Sequence, residues 1–265
     1  MTAAVDAPDR VVLTQVSKTY DTATGPTVAL APTDLVIEPG EFVGVVGPSG
    51  CGKSTLLNLL AGFVAPSTGE LLVGGDAVTG PGPERGVVFQ SPTLYPWLSV
   101  RGNVEFGPKC RGVDRGTRRA EAERLLELVG LADFAGKRPY ELSGGMQQRV
   151  QIARVLANDP RIILMDEPYG ALDQLTRERL QVELLRLWRR AGKTIVFVTH
   201  SVAEAVFLST RVLVMSARPG RVIVDRSIEL PGDDPDGVRE LSVTADPQFQ
   251  AMRTELAQAI YDAHG

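Results

Sequence analysis

The sequence predicts an α/β fold, and three observations predict it. An apolar run, Glu41-Phe42-Val43-Gly44-Val45-Val46, leads into the glycine-rich stretch Gly47-Pro48-Ser49-Gly50-Cys51-Gly52-Lys53-Ser54, and a helical pattern, Thr55 to Ala61, leads out. Two later apolar runs, Arg161 to Asp166 and Thr194 to Thr199, read as buried strands separated by a long helical pattern. A β-rich opening and a helix-rich middle flank this alternation, so sub-domains are expected around one core.

Taken in order, residues 1–9 read as a frayed tail before a strand from Val11 to Tyr20. Asp21 to Pro26 has turn chemistry, and Val28 to Ile37 reads as further strand closed by Pro39-Gly40. After the first helix, Gly69 to Gly75 has strand and turn character. Gly80-Pro81-Gly82-Pro83 is a rigid loop feeding the short strand Gly86 to Phe89. Gln90 then stands at the C-terminal end of that strand, where open α/β sheets place ligand contacts.

From about 91 to 158 the texture changes. Pro92, Pro96, Trp97 and Pro108 punctuate a stretch whose later part is helical, and Leu125, Leu126, Leu128 and Val129 line one helix face. A helical sub-domain inserted into the core is expected here. Within it Tyr95-Pro96-Trp97-Leu98 is either buried loop packing or a docking surface. Gln174 to Arg190 reads as a helix with Leu180, Leu184, Leu187 and Trp188 as its core stripe. A short helix, Val202 to Leu208, and a strand, Arg211 to Ser216, complete the alternation. Gly220 to Leu230 reads as an outer strand, Pro231 to Asp246 as an acidic loop, and Pro247 to Ala263 as a terminal helix.

At 265 residues the chain has room for one large domain with a sub-domain. The formal charge of −4 argues against broad nucleic-acid binding, which needs a concentrated basic surface. Arg111, Arg115, Arg118 and Arg119 are followed at once by Glu121, Glu123 and Glu127, the pattern of a solvated, salt-bridged helix. Cys51 and Cys110 have neither disulfide-framework nor metal-ligand spacing and suit a reducing compartment. Met1 to Asp9 lacks the apolar core of a signal peptide, and no run of about 18 apolar residues occurs. The expectation is a soluble chain, or one held at a membrane by a partner.

The chemistry begins at Gly47–Ser54, whose G-x-x-x-x-G-K-S spacing is that of a phosphate-binding loop. The glycines let successive N–H groups converge on an anion at a helix N-terminus. Lys53 supplies a cation for terminal phosphates, and the Ser54 hydroxyl is placed for Mg²⁺. Asp166 and Glu167 follow an apolar strand, so one acid can hold the metal while the other polarises water. Ser143 reads as the N-cap of a helix whose first residues, Gly144 and Gly145, leave N–H groups bare. Two anion-receptive termini in one chain make sense if each copy lends the second to the other copy's nucleotide. His200 is either a hydrogen-bonded core imidazole or a contact to the γ-phosphate and the water. Ser201 and Glu204 form a capping box after it. Asp173 is either a plain N-cap or part of a shared interface, and Tyr20 either an edge aromatic or a ligand contact.

With these residues in this order, the chain resembles an ABC-transporter ATP-binding subunit over essentially its whole length. Tyr20 is similar to the adenine-stacking aromatic, Gly47–Ser54 with Thr55 to Walker A, and Gln90 to the Q-loop. Ser143, Gly144, Gly145 and Gln147 resemble the ABC signature, and Ile162 to Glu167 resembles Walker B. Asp173 is similar to the D-loop aspartate and His200 to the switch histidine. The resemblance implies the ABC-ATPase version of the P-loop NTPase fold over 10–230: a RecA-like core, an antiparallel β sub-domain and the inserted helices. The segment 231–265 would follow as a loop and helix. The resemblance also implies ATP and Mg²⁺, the metal held by Ser54, Gln90 and Asp166, and Glu167, His200, Lys53 and Gln90 in hydrolysis. The implied partners are a second copy of the chain and membrane permease subunits on the cytoplasmic face, with an extracytoplasmic binding protein beyond them.

Two departures stand out. The signature reads Ser-Gly-Gly-Met-Gln, with Met146 where the common form has Gln, and Ser201 replaces the usual acid after the switch histidine. Neither removes an N–H donor or a capping group. The stretches Gly80–Gln90, Leu94–Leu98, Ala205–Phe207 and Asp246–Phe249 resemble the branch importing taurine, other sulfonates or nitrate. In that branch the segment after the Q-loop meets the permease, which assigns this role to Tyr95–Leu98. The rival readings are a soluble ABC ATPase acting on nucleic acid and an interaction module switched by ATP.

Overall fold

The computed structural model describes residues 9–23, 25–231, 233 and 238–263. The tail expected over 1–9 lies outside the described residues except for Asp9, as does part of the acidic loop. The first two strands, β1 (Val11–Thr22) and β2 (Gly25–Ile37), form an antiparallel hairpin. Pairing runs out to Thr22 opposite Gly25, so the turn is tighter than the turn residues of 21–26 suggest.

Then come β3 (Phe42–Val46), α1 (Lys53–Ala61), β4 (Thr68–Val73), the two-residue β5 (Asp76–Ala77) and β6 (Arg85–Val88). Three helices follow among the described residues: α2 (Val100–Cys110), α3 (Arg115–Leu128) and α4 (Gly144–Ala157). The core resumes with β7 (Ile162–Asp166), α5 (Gln174–Ala191), β8 (Thr194–Val198), α6 (Val202–Leu208) and β9 (Arg211–Met215). It ends with β10 (Val222–Ser227) and α7 (Pro247–Asp262).

The smaller sheet is antiparallel in the order β2-β1-β4-β5, and the larger runs β10-β9-β3-β8-β7-β6. In the larger sheet only β10, at the edge, runs antiparallel. The continuous apolar runs follow from burial on both faces. Phe42, Ile163, Met165, Ile195 and Phe197 enter a core shared with the helical sub-domain and α5. Their neighbours Val43, Ile162, Leu164, Val196 and Val198 enter a second core beneath α1 and the antiparallel sheet. The period-two alternation of a strand thus feeds two cores at once.

The helical sub-domain packs α2 against α3 and α4. Helix α3 starts six residues before the periodic stretch, because Asp114 caps it by accepting from the Gly116 and Thr117 N–H groups. Within it Arg119 pairs with Glu123 (2.8 Å) and Arg124 with Glu121 (2.6 Å) at helical spacing, while Arg118 reaches Glu105 of α2 (3.5 Å). The core stripe of α5 uses Leu180, Leu184, Leu185 and Trp188, with Leu187 only half-buried. The C-terminal segment is fastened through Arg239, which is 3% exposed. Its guanidinium donates to Asp233 and to the Val206, Phe207 and Ser209 carbonyls at the end of α6.

Candidate functional site

Strand β3 lies between β9 and β8, so the loop after it opens at the C-terminal edge of the sheet. Gly52 precedes α1 with φ 96°, a left-handed backbone that favours glycine, and a Cβ there would lie 2.6 Å from the Ala29 carbonyl oxygen. It brings no side chain to cap α1, so the first N–H groups of the helix face the cleft. That cleft, about 580 Å³, is lined by Tyr20, Ser49, Gly50, Gly52, Lys53, Ser54, Thr55 and Glu167, among others. The half-buried Tyr20 therefore belongs to the wall opposite the loop, with the Lys18 ammonium 5.2 Å from its ring centre. Lys53 is buried, its Nζ donating to the Gly47 (2.8 Å) and Pro48 (3.0 Å) carbonyls. Cys51 is buried under the loop, in keeping with a packing residue.

Strands β6, β7 and β8 are adjacent, and their C-terminal ends deliver Gln90, Asp166 with Glu167, and His200 to one place. Gln90 Nε2 donates to Glu167 Oε2 (3.1 Å), and His200 Nδ1 lies 3.3 Å from the same oxygen. The carboxylate is thus clasped from two sides. The Glu167 backbone has φ 44°, sparsely populated for a side chain of this size, and its N–H is held by the Val198 carbonyl (2.9 Å). Asp166, the last residue of β7, stands near Ser54 and Lys53, both of which act on its carboxyl. Burial, the largest cause, pushes its carboxyl above the usual range; Glu167 beside it adds to the rise, and Ser54 and Lys53 oppose it. The Ser54 hydroxyl and the Asp166 carboxylate are hard oxygen donors at the start of α1 that suit Mg²⁺, which keeps waters and takes phosphate oxygens. Gln90, with its Nε2 on Glu167, has only Oε1 to offer a metal.

The second helix opening is built differently. Ser143 Oγ accepts from the Met146 N–H (3.3 Å), as an N-cap, which leaves its hydroxyl hydrogen to donate outward. Gly144 and Gly145 follow, and a Cβ at Gly145 would press on Leu172 Cδ2 at 3.2 Å. These residues share a depression of about 410 Å³ with Ala171, Leu172, Asp173 and Arg149. Asp173 caps α5, accepting from the Thr176 N–H (3.0 Å), and that bond holds its carboxyl below the usual range. The Gln147 side chain is turned away: its amide donates to the Pro139 (3.0 Å) and Leu142 (3.2 Å) carbonyls and braces the preceding loop. The depressions around Lys53 and around Ser143 have no lining residue in common.

Between Gln90 and α2 the chain is stitched to α4. Gln148 and Gln151 both donate to the Phe89 carbonyl, and Gln151 accepts from the Thr93 N–H (2.7 Å). Tyr95 is packed against Phe106 and Arg154, whereas Trp97 is 67% exposed. Tyr95 is thus packed within the sub-domain while Trp97 faces outward. Arg138 donates to the Trp97 carbonyl and brings up Tyr140, 76% exposed. Four cleft residues, Thr22, Thr27, Ala29 and Arg218, were not foreseen from sequence, and Arg218 is the one charged group among them. Arg218 reaches the phosphate-binding loop from the β9–β10 turn, its Nε 3.4 Å from the Gly50 carbonyl. Pro219-Gly220 marks a turn in the sequence, but only the fold shows that the turn leans on Cys51 and Ala29.

The arrangement is a phosphate-binding loop with an acid, Glu167, held at the edge of its cleft. The family description "ABC transporter" matches residues 30–170. The chain is 51% identical over 238 residues to the taurine import ATP-binding protein TauB of Roseobacter denitrificans, covering 88% of this chain and 87% of that one. The protein of the same name from Jannaschia sp. is 49% identical, covering 93% and 92%. Among solved structures, the dimeric bacterial ABC transporter cassette MJ0796 matches with a TM-score of 0.75 at 36% identity, covering 83% of this chain and 99% of that one. The same cassette in a post-hydrolysis state bound to ADP and Pi gives a TM-score of 0.74. The chain belongs to the ABC transporter ATP-binding family and is an ATPase of that family.

Proposed function

We propose that this chain is the ATP-hydrolysing subunit of an importer for taurine or a closely related sulfonate, acting as a pair of identical copies beneath membrane permease subunits. The taurine-import names of relatives near 50% identity support the substrate class. The observation that carries the catalytic reading is the Glu167 carboxylate held between Gln90 and His200. A carboxylate so held, at the edge of the cleft that Lys53 enters, is oriented to accept a proton from water attacking the terminal phosphate. His200 supports that oxygen from the other side and leaves its second ring nitrogen for the phosphate. Ser54 and Asp166 would hold Mg²⁺, which when bound neutralises phosphate charge.

The cleft around Lys53 offers a cation and acids; the helix opening at Ser143 offers a hydroxyl, bare N–H groups and a helix dipole, with Arg149 and Asp173 on the wall of its depression. We read the second as belonging to the partner's nucleotide, so that each ATP is gripped by both copies. No helix among the described residues is long and apolar enough to cross a membrane, so coupling to the permeases is assigned to an exposed surface. Trp97 and Tyr140 are that surface in this reading. The segment joining them to Gln90 is fastened to α4, so site and surface would move together on the cytoplasmic side.

The deciding experiment is Glu167→Gln. It should keep Mg-ATP binding, lower turnover about 10²–10⁴-fold and accumulate as an ATP-bound dimer in light scattering. Normal hydrolysis by this variant would remove Glu167 from the catalytic role. For the substrate class, permease complexes in proteoliposomes should raise ATP turnover with taurine-loaded binding protein, and a flat response would reject it.

A further inference from the structure

The switch histidine is held from behind by a residue outside the site. Glu204 sits in the first turn of α6 with its side chain 14% exposed. Thr199 Oγ1 donates to Glu204 Oε2 (2.6 Å) and itself accepts from the Ser201 N–H (3.0 Å). Ser201 Oγ in turn accepts from the Glu204 N–H (3.3 Å). Of the residues flanking His200, Thr199 is therefore tied to the Glu204 carboxylate and Ser201 to the Glu204 backbone N–H and to Thr199.

The other oxygen of that carboxylate faces α5. Glu204 Oε1 accepts from Gln181 Nε2 (3.3 Å) and stands 3.6 Å from Arg177 Nε. Arg177 Nη2 donates to the Leu172 carbonyl (2.9 Å), in the turn that shares a depression with Ser143 and Gly145. A line of polar contacts thus runs from the Leu172–Asp173 turn to Thr199, the residue before His200. One step in it is slack: Arg177 Nε is buried without a hydrogen-bond partner, about half an ångström beyond a good bond to Glu204. A small shift of the first turn of α5 would close that gap, and a buried donor short of its acceptor favours any state that closes it. Glu204 also makes itself felt at Tyr169, wholly buried in the Asp166–Asp173 segment, whose phenol is pushed up by burial first and by this charge second.

We propose that Glu204 is a positioning residue which, through Arg177, ties His200 to the Leu172–Asp173 turn, so that seating a second copy against that turn sets the histidine beside Glu167. The proposal rests on the reading that this turn meets the other copy and that His200 serves hydrolysis. It assigns to Arg177 and Glu204 an effect on turnover that does not pass through ATP binding.

The test compares Arg177→Gln, Arg177→Lys, Glu204→Gln and the Arg177→Gln/Glu204→Gln double variant, as full chains and again in the Glu167→Gln background. Thermal melting, Mg-ATP affinity, ATP-driven dimerisation and kcat are measured for each. Arg177→Gln should keep affinity and dimerisation within twofold and lower kcat about tenfold, the scale of a small misplacement of a catalytic group. Arg177→Lys should recover little, because one ammonium cannot hold Leu172 and Glu204 together. The double variant should be no slower than the slower single one, since both break one connection. Unchanged kcat in Arg177→Gln, full recovery by Lys, multiplying losses in the double variant, or a kcat loss matched by lost affinity would each overturn the link. Should Glu204→Gln melt too low to assay, the two Arg177 variants decide alone. Failure of the underlying dimer reading shows separately: the Glu167→Gln chain would stay monomeric in Mg-ATP whatever residue stands at 177.

Discussion

Helices α1 and α4 both open with glycines at an anion-receptive terminus, yet they are equipped for opposite halves of one task. The opening of α1 has no side-chain cap and is surrounded by charge: Lys53 within the loop, Asp166 near Ser54, and Glu167 on the cleft wall. The opening of α4 is capped by Ser143 and has a hydroxyl and bare N–H groups, with no lysine and no acid in its first turn. A fixed dipole with neutral donors can stabilise phosphate charge but cannot activate water or hold a metal. The difference supports the proposed reading, in which the second opening is a complement, useful only when brought to the first.

The largest expected effect therefore falls on α1. Lys53→Ala removes the only cation that the loop itself supplies, and ATP affinity should fall about a hundredfold, roughly 3 kcal/mol. Isothermal titration with a non-hydrolysed ATP analogue checks this, and unchanged affinity would leave the phosphate reading without its cation. Next is Ser143→Asp, which keeps the cap because Asp serves as well as Ser there. It puts negative charge where the partner's phosphate would sit. Stability and single-chain nucleotide affinity should hold, while ATP-driven dimerisation and turnover drop at least tenfold. If single-chain affinity fell equally, the two openings would not be separate half-sites.

Much of this contrast was legible beforehand because it is local. The phosphate-binding loop is a contiguous string whose chemistry depends on spacing, and Ser143 announces a cap by its place before a helical run. The juxtaposition of Gln90, Glu167 and His200 was inferable too, since each ends an apolar strand and strand ends share one edge of a sheet. What stayed hidden depends on which turn leans on which. Nothing near Arg218 says that its hairpin lies on the phosphate-binding loop, and nothing near Glu204 beyond a capping box says that it also meets α5. The orientation of Gln147 was missed for the same reason. A helix position shows which face a side chain takes, but not that two carbonyls of the preceding loop lie within its reach.

A smaller effect sharpens the comparison at the edge of the α1 cleft. Arg218 adds a cation from outside the loop, 3.4 Å from Gly50, so Arg218→Ala should weaken ATP about fivefold, near 1 kcal/mol. The loss should shrink as salt is raised, because a solvent-facing guanidinium is screened. Equal loss at low and high salt would mean that the side chain acts by packing.

The smallest effect has the opposite sign and tests whether the α1 site is held in readiness at a cost to the fold. Burial raises the Asp166 carboxyl above its ordinary value of 3.8, so the folded chain binds that proton more tightly than the unfolded one. With more protons bound in the native state, stability falls as pH rises from about the unfolded value through the raised native one, and the penalty persists at neutral pH. Asp166→Asn keeps the shape and removes the charge. The nucleotide-free variant should melt about 1–2 °C higher at neutral pH, a small gain because the group is only partly buried and solvent screens it. The gain should shrink as pH falls through the raised native value and vanish well below 3.8, where the wild-type carboxyl is neutral in both states. In Mg-ATP the same variant should hydrolyse far more slowly, since an amide cannot supply the anionic oxygen that a divalent cation needs. A variant that is more stable empty and inactive loaded would show that the Asp166 charge is kept for its ligand and against the fold. A lower melting point at neutral pH would show instead that Ser54 and Lys53 already compensate the charge.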